Sequence, residues 1–147
     1  MTSPQLLSDP RSLIEAIFDI VRSQVSSSVI IDRIFDNVPA PVIITKPSVQ
    51  NQWPKILYVN RHFCTLYDYP RKVLIGSTTQ TFSGEATDFS RVSEMRNELN
   101  ADKVCRVPMT TYNSKGIAQS VRIDISRFAL EPDPAVDLWI ALHVPLD

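Results

Sequence analysis

Glycine is scarce in this chain, with three in 147 residues, too few and too scattered to build a Gly-rich loop that cradles a phosphate. Cysteine is scarcer still. The two present, Cys64 and Cys105, fit a reduced, cytoplasmic protein better than a disulfide framework. With only two histidines, His62 and His143, the supply of ligands is too sparse for a zinc site, so no metal is expected. Neither histidine has a Ser or Cys arranged with it as in a triad, so no catalytic residues and no enzyme activity are expected. An excess of one charge is also missing: 15 basic side chains stand against 16 acidic ones, without a basic stripe of the kind that binds nucleic acid. Long apolar runs are absent. Asp, Arg or Ser interrupts each one within a few residues, and the amino terminus lacks a basic region followed by an apolar core, which argues against a membrane span, membrane contact or a signal peptide. A chain of this length has room for one domain with a genuine core.

What is present is organised around Ile56 to Gly76. Ile56, Leu57, Tyr58 and Val59 follow a Trp-Pro pair and have the β-branched, aromatic or aliphatic character of a strand. Asn60 ends it as a helix cap. Phe63, Leu66 and Tyr67 then recur at three- and four-residue steps, which predicts a short helix from about Arg61 to Asp68. Pro70 breaks that helix and opens a further helical turn, Arg71 to Ile75, and Gly76 supplies the positive-φ stop.

Tyr58, Val59, Asn60, Phe63, Leu66, Tyr69, Ile75 and Gly76 together spell a pattern that resembles the signature of PAS domains. Downstream, Thr87-Asp88, Val92, Met95-Arg96, Leu99, Val104, Tyr112, Lys115-Gly116 and Ile123 to Ser126 run in step with the light-oxygen-voltage (LOV) branch. The resemblance spans roughly residues 35 to 146. It implies an α+β fold, with a five-stranded antiparallel sheet, short helices on one face and an amino-terminal amphipathic helix on the other. It also implies a division into an extension, 1–34, for packing or dimerisation, and a PAS domain, 35–147.

The resemblance further identifies what is missing for flavin chemistry. Where the light-sensing branch carries its reactive cysteine, this chain has Thr79, and a hydroxyl is far less nucleophilic than a thiolate, so no covalent flavin adduct is expected. Thr111, Val121 and His143 stand where that branch places two Asn and a Gln against the flavin ring. No cofactor is the expectation. Arg91 and Arg96 lie on the helix whose arginines pair with the flavin phosphate in relatives, although solvated arginines are the plainer reading.

Along the rest of the chain, Asp9-Pro10 opens an amphipathic helix whose stripe is Leu13, Ile14, Ile17, Phe18, Val21 and Val25. That stripe suits either the domain's own sheet or a seam between two protomers. A second helical piece reaches Asn37, Val42 to Thr45 is the first strand, and Lys46 to Lys55 is a surface excursion in which Trp53 covers an edge. A helix capped by Asp88 runs to about Asn100, with Phe89, Val92, Met95, Arg96 and Leu99 on one side. Three antiparallel strands follow, 103–112, 119–128 and 137–144, joined by loops 113–116 and 130–136.

Alternation divides each strand into two faces. With the side that carries the flavin amides in the light-sensing branch turned inward, as the resemblance implies, Cys105, Val107, Met109, Thr111, Val121, Ile123, Ile125, Trp139, Ala141 and His143 are inner, and Leu138, Ile140, Leu142 and Val144 outer. A last strand apolar on both faces needs cover on both. The residues expected to line a ligand cavity are Met109, Thr111, Val121, Ile123, Trp139 and His143, with Thr79 and Asn60. The candidates for a homodimer interface are Leu13, Ile17, Phe18, Val21, Ile140 and Leu142. The function implied is a sensory or protein-interaction module of a signalling protein, the input part of a histidine kinase or cyclic-dinucleotide enzyme, with an effector domain as partner. Three forms stay open: a small-molecule receptor, a ligand-free dimerisation module with a filled core, and a non-covalent flavin or haem sensor.

Overall fold

The computed structural model describes residues 27–48, 52–129 and 137–146, so the leading stripe with Leu13, Ile17, Phe18 and Val21 and the loop 130–136 lie outside the described residues. Helix α1 (Ser27–Asp36) precedes strands β1 (Val42–Thr45) and β2 (Ile56–Val59). Helices α2 (Arg61–Tyr67), α3 (Arg71–Leu74), a 3-10 turn (Thr79–Phe82) and α4 (Phe89–Asn100) follow. Strands β3 (Cys105–Tyr112), β4 (Ala118–Ala129) and β5 (Asp137–Pro145) complete one antiparallel sheet in the order β2-β1-β5-β4-β3. This is the α+β arrangement that the resemblance implies.

The central stretch folds by the local signals it carries. Asn60 keeps extended dihedrals, and its side-chain oxygen accepts from the Phe63 N–H at 3.0 Å, satisfying one of the orphan donors at the start of α2. At the other end Asp68 turns into the left-handed region at φ 59. The exposed carbonyls there find donors on the β3–β4 hairpin: Tyr67 O accepts from Ser114 N at 2.9 Å, and Leu66 O from Gln119 Nε2 at 3.0 Å. Pro70 precedes α3, and Gly76 at φ 88 closes it, a conformation that costs a residue without Cβ nothing.

Alternation on β3 is clear, with Cys105, Val107, Met109 and Thr111 turned inward and Arg106 and Pro108 outward. The inner face packs on Phe63, Tyr67, Leu74 and Phe82. On the outer face Val42, Ile44, Phe128 and Ile140 are covered by Phe35 and Val38, with Ile34, Tyr58, Leu138 and Leu142 around them. This corrects one interface residue. Ile140 is 0 % exposed beneath the chain's own α1 end, leaving nothing for a second protomer to cover, whereas Leu142 is half-buried. Phe89 also departs from expectation: it is 51 % exposed, and its ring meets Trp53 edge-on at 6.0 Å.

Beyond the packing of Phe35, polar contacts tie helix α1 to the domain, and one arginine makes two of them. Arg71 of α3 donates to Asp32 Oδ1 and to Asp36 Oδ1, both at 2.7 Å, and through Nε to the Val59 carbonyl at 3.0 Å. The Tyr58 hydroxyl reaches Asp32 Oδ1 at 3.2 Å, and the Arg61 N–H reaches Asp36 Oδ1 at 2.9 Å. Burial acts to raise the Asp36 carboxyl, but the Arg61 N–H and the Arg71 guanidinium outweigh it and hold Asp36 below the usual carboxylate range.

Candidate functional site

The inner face does not close completely against the helices. Between the sheet on one side and α4, the 3-10 turn and residues 52–54 on the other lies a cavity of about 110 Å³. Ile43, Met109, Ile123, Ile125, Trp139 and Ala141 line it from the sheet. Val92, Met95 and Leu99 line it from α4, with Phe82, Trp53 and Pro54 beside them. Cavities of about 150 Å³ walled by Leu, Ile and Phe stay dry and take up benzene, so this space is of a size to hold a small organic molecule.

Of the residues expected to line a cavity, Met109, Thr111, Ile123, Trp139, His143 and Thr79 are brought together around it, and Asn60 and Val121 are not. Val121 has the right parity but lies deeper along the strand, fully buried among Phe63, Tyr67 and Phe82. Asn60 is fully buried and every polar atom of its side chain is committed to the backbone. Its Oδ1 accepts from Val42 N at 2.9 Å and from Phe63 N, and its Nδ2 donates to Phe35 O and Ala40 O, both at 2.8 Å. It is a latch between α1, β1 and α2, removed from the cavity.

An aromatic plug occupies the part of the interior next to the cavity. Phe63 stands 4.7 Å from Tyr67, 5.2 Å from Phe82 and 5.1 Å from His143, and Tyr67 lies 4.5 Å from Phe82 (ring centroids). Within the plug the Tyr67 hydroxyl is 2.7 Å from His143 Nδ1 and 2.9 Å from Thr111 Oγ1. Burial pulls the His143 imidazole down to about 3. Burial also pushes Tyr67 well above the ordinary tyrosine range, against the smaller lowering from Thr111. The imidazole is therefore neutral, and it, the Tyr67 hydroxyl and the Thr111 hydroxyl form one buried hydrogen-bonded chain whose donors are set by the histidine tautomer. His143 and Thr111 thus both have a hydrogen bond directed to Tyr67.

Other lining residues were not among those expected for a cavity: Trp53, expected to cover an edge, borders it, and so do Ser48 and Arg96, the latter weighed only as a phosphate partner. Arg96 donates through Nε to the buried Ser48 hydroxyl and through Nη2 to the Gln52 carbonyl, both at 3.0 Å. The helical periodicity does carry a signal for Arg96, because it falls on the same side as Val92 and Leu99. Arg91 faces away, paired with Glu94 at 2.8 Å and Glu98 at 3.1 Å. Neither thiol is poised to react: burial raises Cys64, and burial with the Glu98 carboxylate, 2.8 Å away, raises Cys105 to about 12. Among the described residues no group of three or more His, Cys, Asp or Glu could hold a metal, and no helix is long and apolar enough to cross a membrane.

The residues present do not fit a flavin. No amide faces the cavity from positions 111, 121 and 143, the hydroxyl and imidazole there are tied to Tyr67, and Thr79 carries no thiol.

Comparisons with known proteins agree on the fold. Residues 39–143 match a PAS domain family. Over 75 residues the chain is 31 % identical to a blue-light photoreceptor of Listeria innocua serovar 6a, a match covering 51 % of this chain and 29 % of that protein. It thus spans under a third of the curated relative's length. Three solved structures share the fold. A light-oxygen-voltage domain studied with a flavin analogue has a TM-score of 0.66 at 18 % identity, over 78 % of this chain and 83 % of that one. The LOV domain of the Erythrobacter litoralis EL346 blue-light activated histidine kinase gives 0.64 at 18 %, over 75 % and 98 %. The light state of the Aureochrome1 LOV photoreceptor gives 0.64 at 17 %, over 78 % and 88 %. The signature from Tyr58 to Gly76, the sheet order and the family match over most of the chain agree: this chain belongs to the PAS domain family.

Proposed function

We propose that this PAS domain is a non-enzymatic sensory module that takes up a small, largely apolar molecule between sheet and α4 and uses no flavin. The observation that carries this reading is the cavity itself: it is walled mostly by apolar side chains of the sheet and α4, and the Thr111 hydroxyl and His143 imidazole beside it are bonded to Tyr67. A ligand that favours one packing of α4 on the sheet shifts that equilibrium by its differential affinity. The change then has a route to the leading helix through the sheet and Arg71. The relatives' names, a photoreceptor and a blue-light activated histidine kinase, support placing such a module at the input end of a longer cytoplasmic signalling protein. A kinase or cyclic-dinucleotide enzyme is the partner of choice.

The purified protein is expected to be colourless, with no visible absorption band. Titration with flavin mononucleotide should leave the flavin's fluorescence unquenched, and Thr79→Cys should remain inert to blue light, because a thiol cannot add to a flavin that is not held. Co-purified flavin, or a light-induced spectral change in Thr79→Cys, would overturn the reading.

The aromatic plug favours a second form, in which the domain pairs protomers without a ligand. Both forms share a homodimer built on the leading stripe of Leu13, Ile17, Phe18 and Val21 together with Leu142. Light scattering is expected to give twice the chain mass, and a monomer at all concentrations would remove the dimer from the proposal.

A further inference from the structure

We infer that the ligand taken up is a small apolar carboxylate whose head group is shared by Arg96 and the Trp139 indole N–H and whose body lies between the sheet and α4. The inference rests on the cavity reading above and adds the charge of the molecule. The first observation is an arginine at an apolar space with part of its donor set unused. Arg96 gives Nε to Ser48 and one Nη2 donor to Gln52. Among the described residues no carboxylate lies within ion-pairing distance of it, whereas Arg91 on the same helix holds Glu94 and Glu98. A guanidinium presents five N–H groups in a planar fork matched to a carboxylate, so Arg96 keeps donors for an anion while its two existing bonds fix the orientation of the fork.

A second observation is independent of the arginine. The indole N–H of Trp139, a cavity-lining residue that is 3 % exposed, is buried without a hydrogen-bond partner. An orphaned buried donor is costly, and a ligand oxygen is the kind of group that removes the cost. The remaining lining sets the body of the molecule. Alongside a few hydroxyls, Met95, Leu99, Ile43, Ile123 and Ile125 make most of it apolar and offer dispersion contact, which disfavours a ligand that is polar all round, such as a sugar. The volume of about 110 Å³ limits the body to about the size of one ring or a short chain.

The test pairs acids with alcohols of the same skeleton, benzoate with benzyl alcohol and hexanoate with hexanol, titrated into the full chain by calorimetry. The expected result is that each acid binds about tenfold to a hundredfold more tightly than its alcohol. Arg96→Gln should abolish that preference, and Arg96→Lys should restore part of it, with unchanged melting temperatures showing that both variants fold. Equal binding of acid and alcohol, or a preference that survives in Arg96→Gln, overturns the carboxylate assignment and leaves the cavity reading standing. Failure of all four compounds to bind the wild-type chain overturns both.

Discussion

Replacing Asn60 with alanine is expected to lower the thermal midpoint by at least about 10 °C, corresponding to a loss of about 3–5 kcal/mol. Four backbone groups depend on this one amide: the N–H of Val42 and of Phe63, and the carbonyls of Phe35 and Ala40. The residue is 0 % exposed, so water cannot take over these bonds without opening the junction. Asn60→Asp separates the two halves of the role. An aspartate serves well as a helix cap, and if capping were all that mattered the variant would be near neutral. Its second oxygen, however, would face the Phe35 and Ala40 carbonyls where the Nδ2 donors now sit, so Asn60→Asp is expected to destabilise as much as alanine does. Urea unfolding of the three proteins decides the matter, and a loss below about 1 kcal/mol for either variant would show that the latch has been misread.

The second large effect is one of pH. Burial lowers the His143 imidazole from 6.5 to about 3 in the folded chain, while the unfolded chain takes up the proton near the ordinary value. The unfolded state thus binds more protons between these limits. The stabilisation is fully present above about pH 6.5 and is lost as pH falls toward 3, with a slope of at most about 1.4 kcal/mol per pH unit. Asp36 and Glu98, both held below their ordinary carboxylate values, add their own loss toward the acid end, so the interval from about pH 6.5 to 5.5 is the one that reports on the histidine. His143→Gln keeps an acceptor for Tyr67 without titrating, and its stability should be much flatter across that interval. A wild-type chain whose denaturant midpoint does not move between those pH values would contradict the buried neutral state of His143.

Local signals made much of this fold legible in the sequence. Asn60, Pro70 and Gly76 each act on the residues beside them, through a cap, a fixed φ and a positive φ, and each does in three dimensions what its chemistry dictates alone. Alternation on β3, β4 and β5 likewise showed which side chains share a face, which is why Met109, Thr111, Ile123, Trp139 and His143 meet. What alternation cannot express is depth along the strand. Val121 obeys the same parity as Ile123 and yet lies under the plug, because the ring of Tyr67 comes from a helix some 54 residues earlier in the chain. Trp53 and Ser48 were not expected at the cavity for a related reason: they lie outside helices and strands, where no periodicity assigns a face. Asn60 was misplaced by resemblance of type, since a buried amide can serve a ligand or the backbone and only the backbone geometry shows which.

The attachment of α1 has a consequence for how movement could pass through it. Asp32 and Asp36 are four residues apart and share one side of the helix, so one guanidinium grips both. A turn of α1 by a single residue, about 100°, would carry both carboxylates off Arg71 at once. The two ion pairs therefore make and break together, while Phe35 and its bond from Asn60 keep the end of α1 on the sheet.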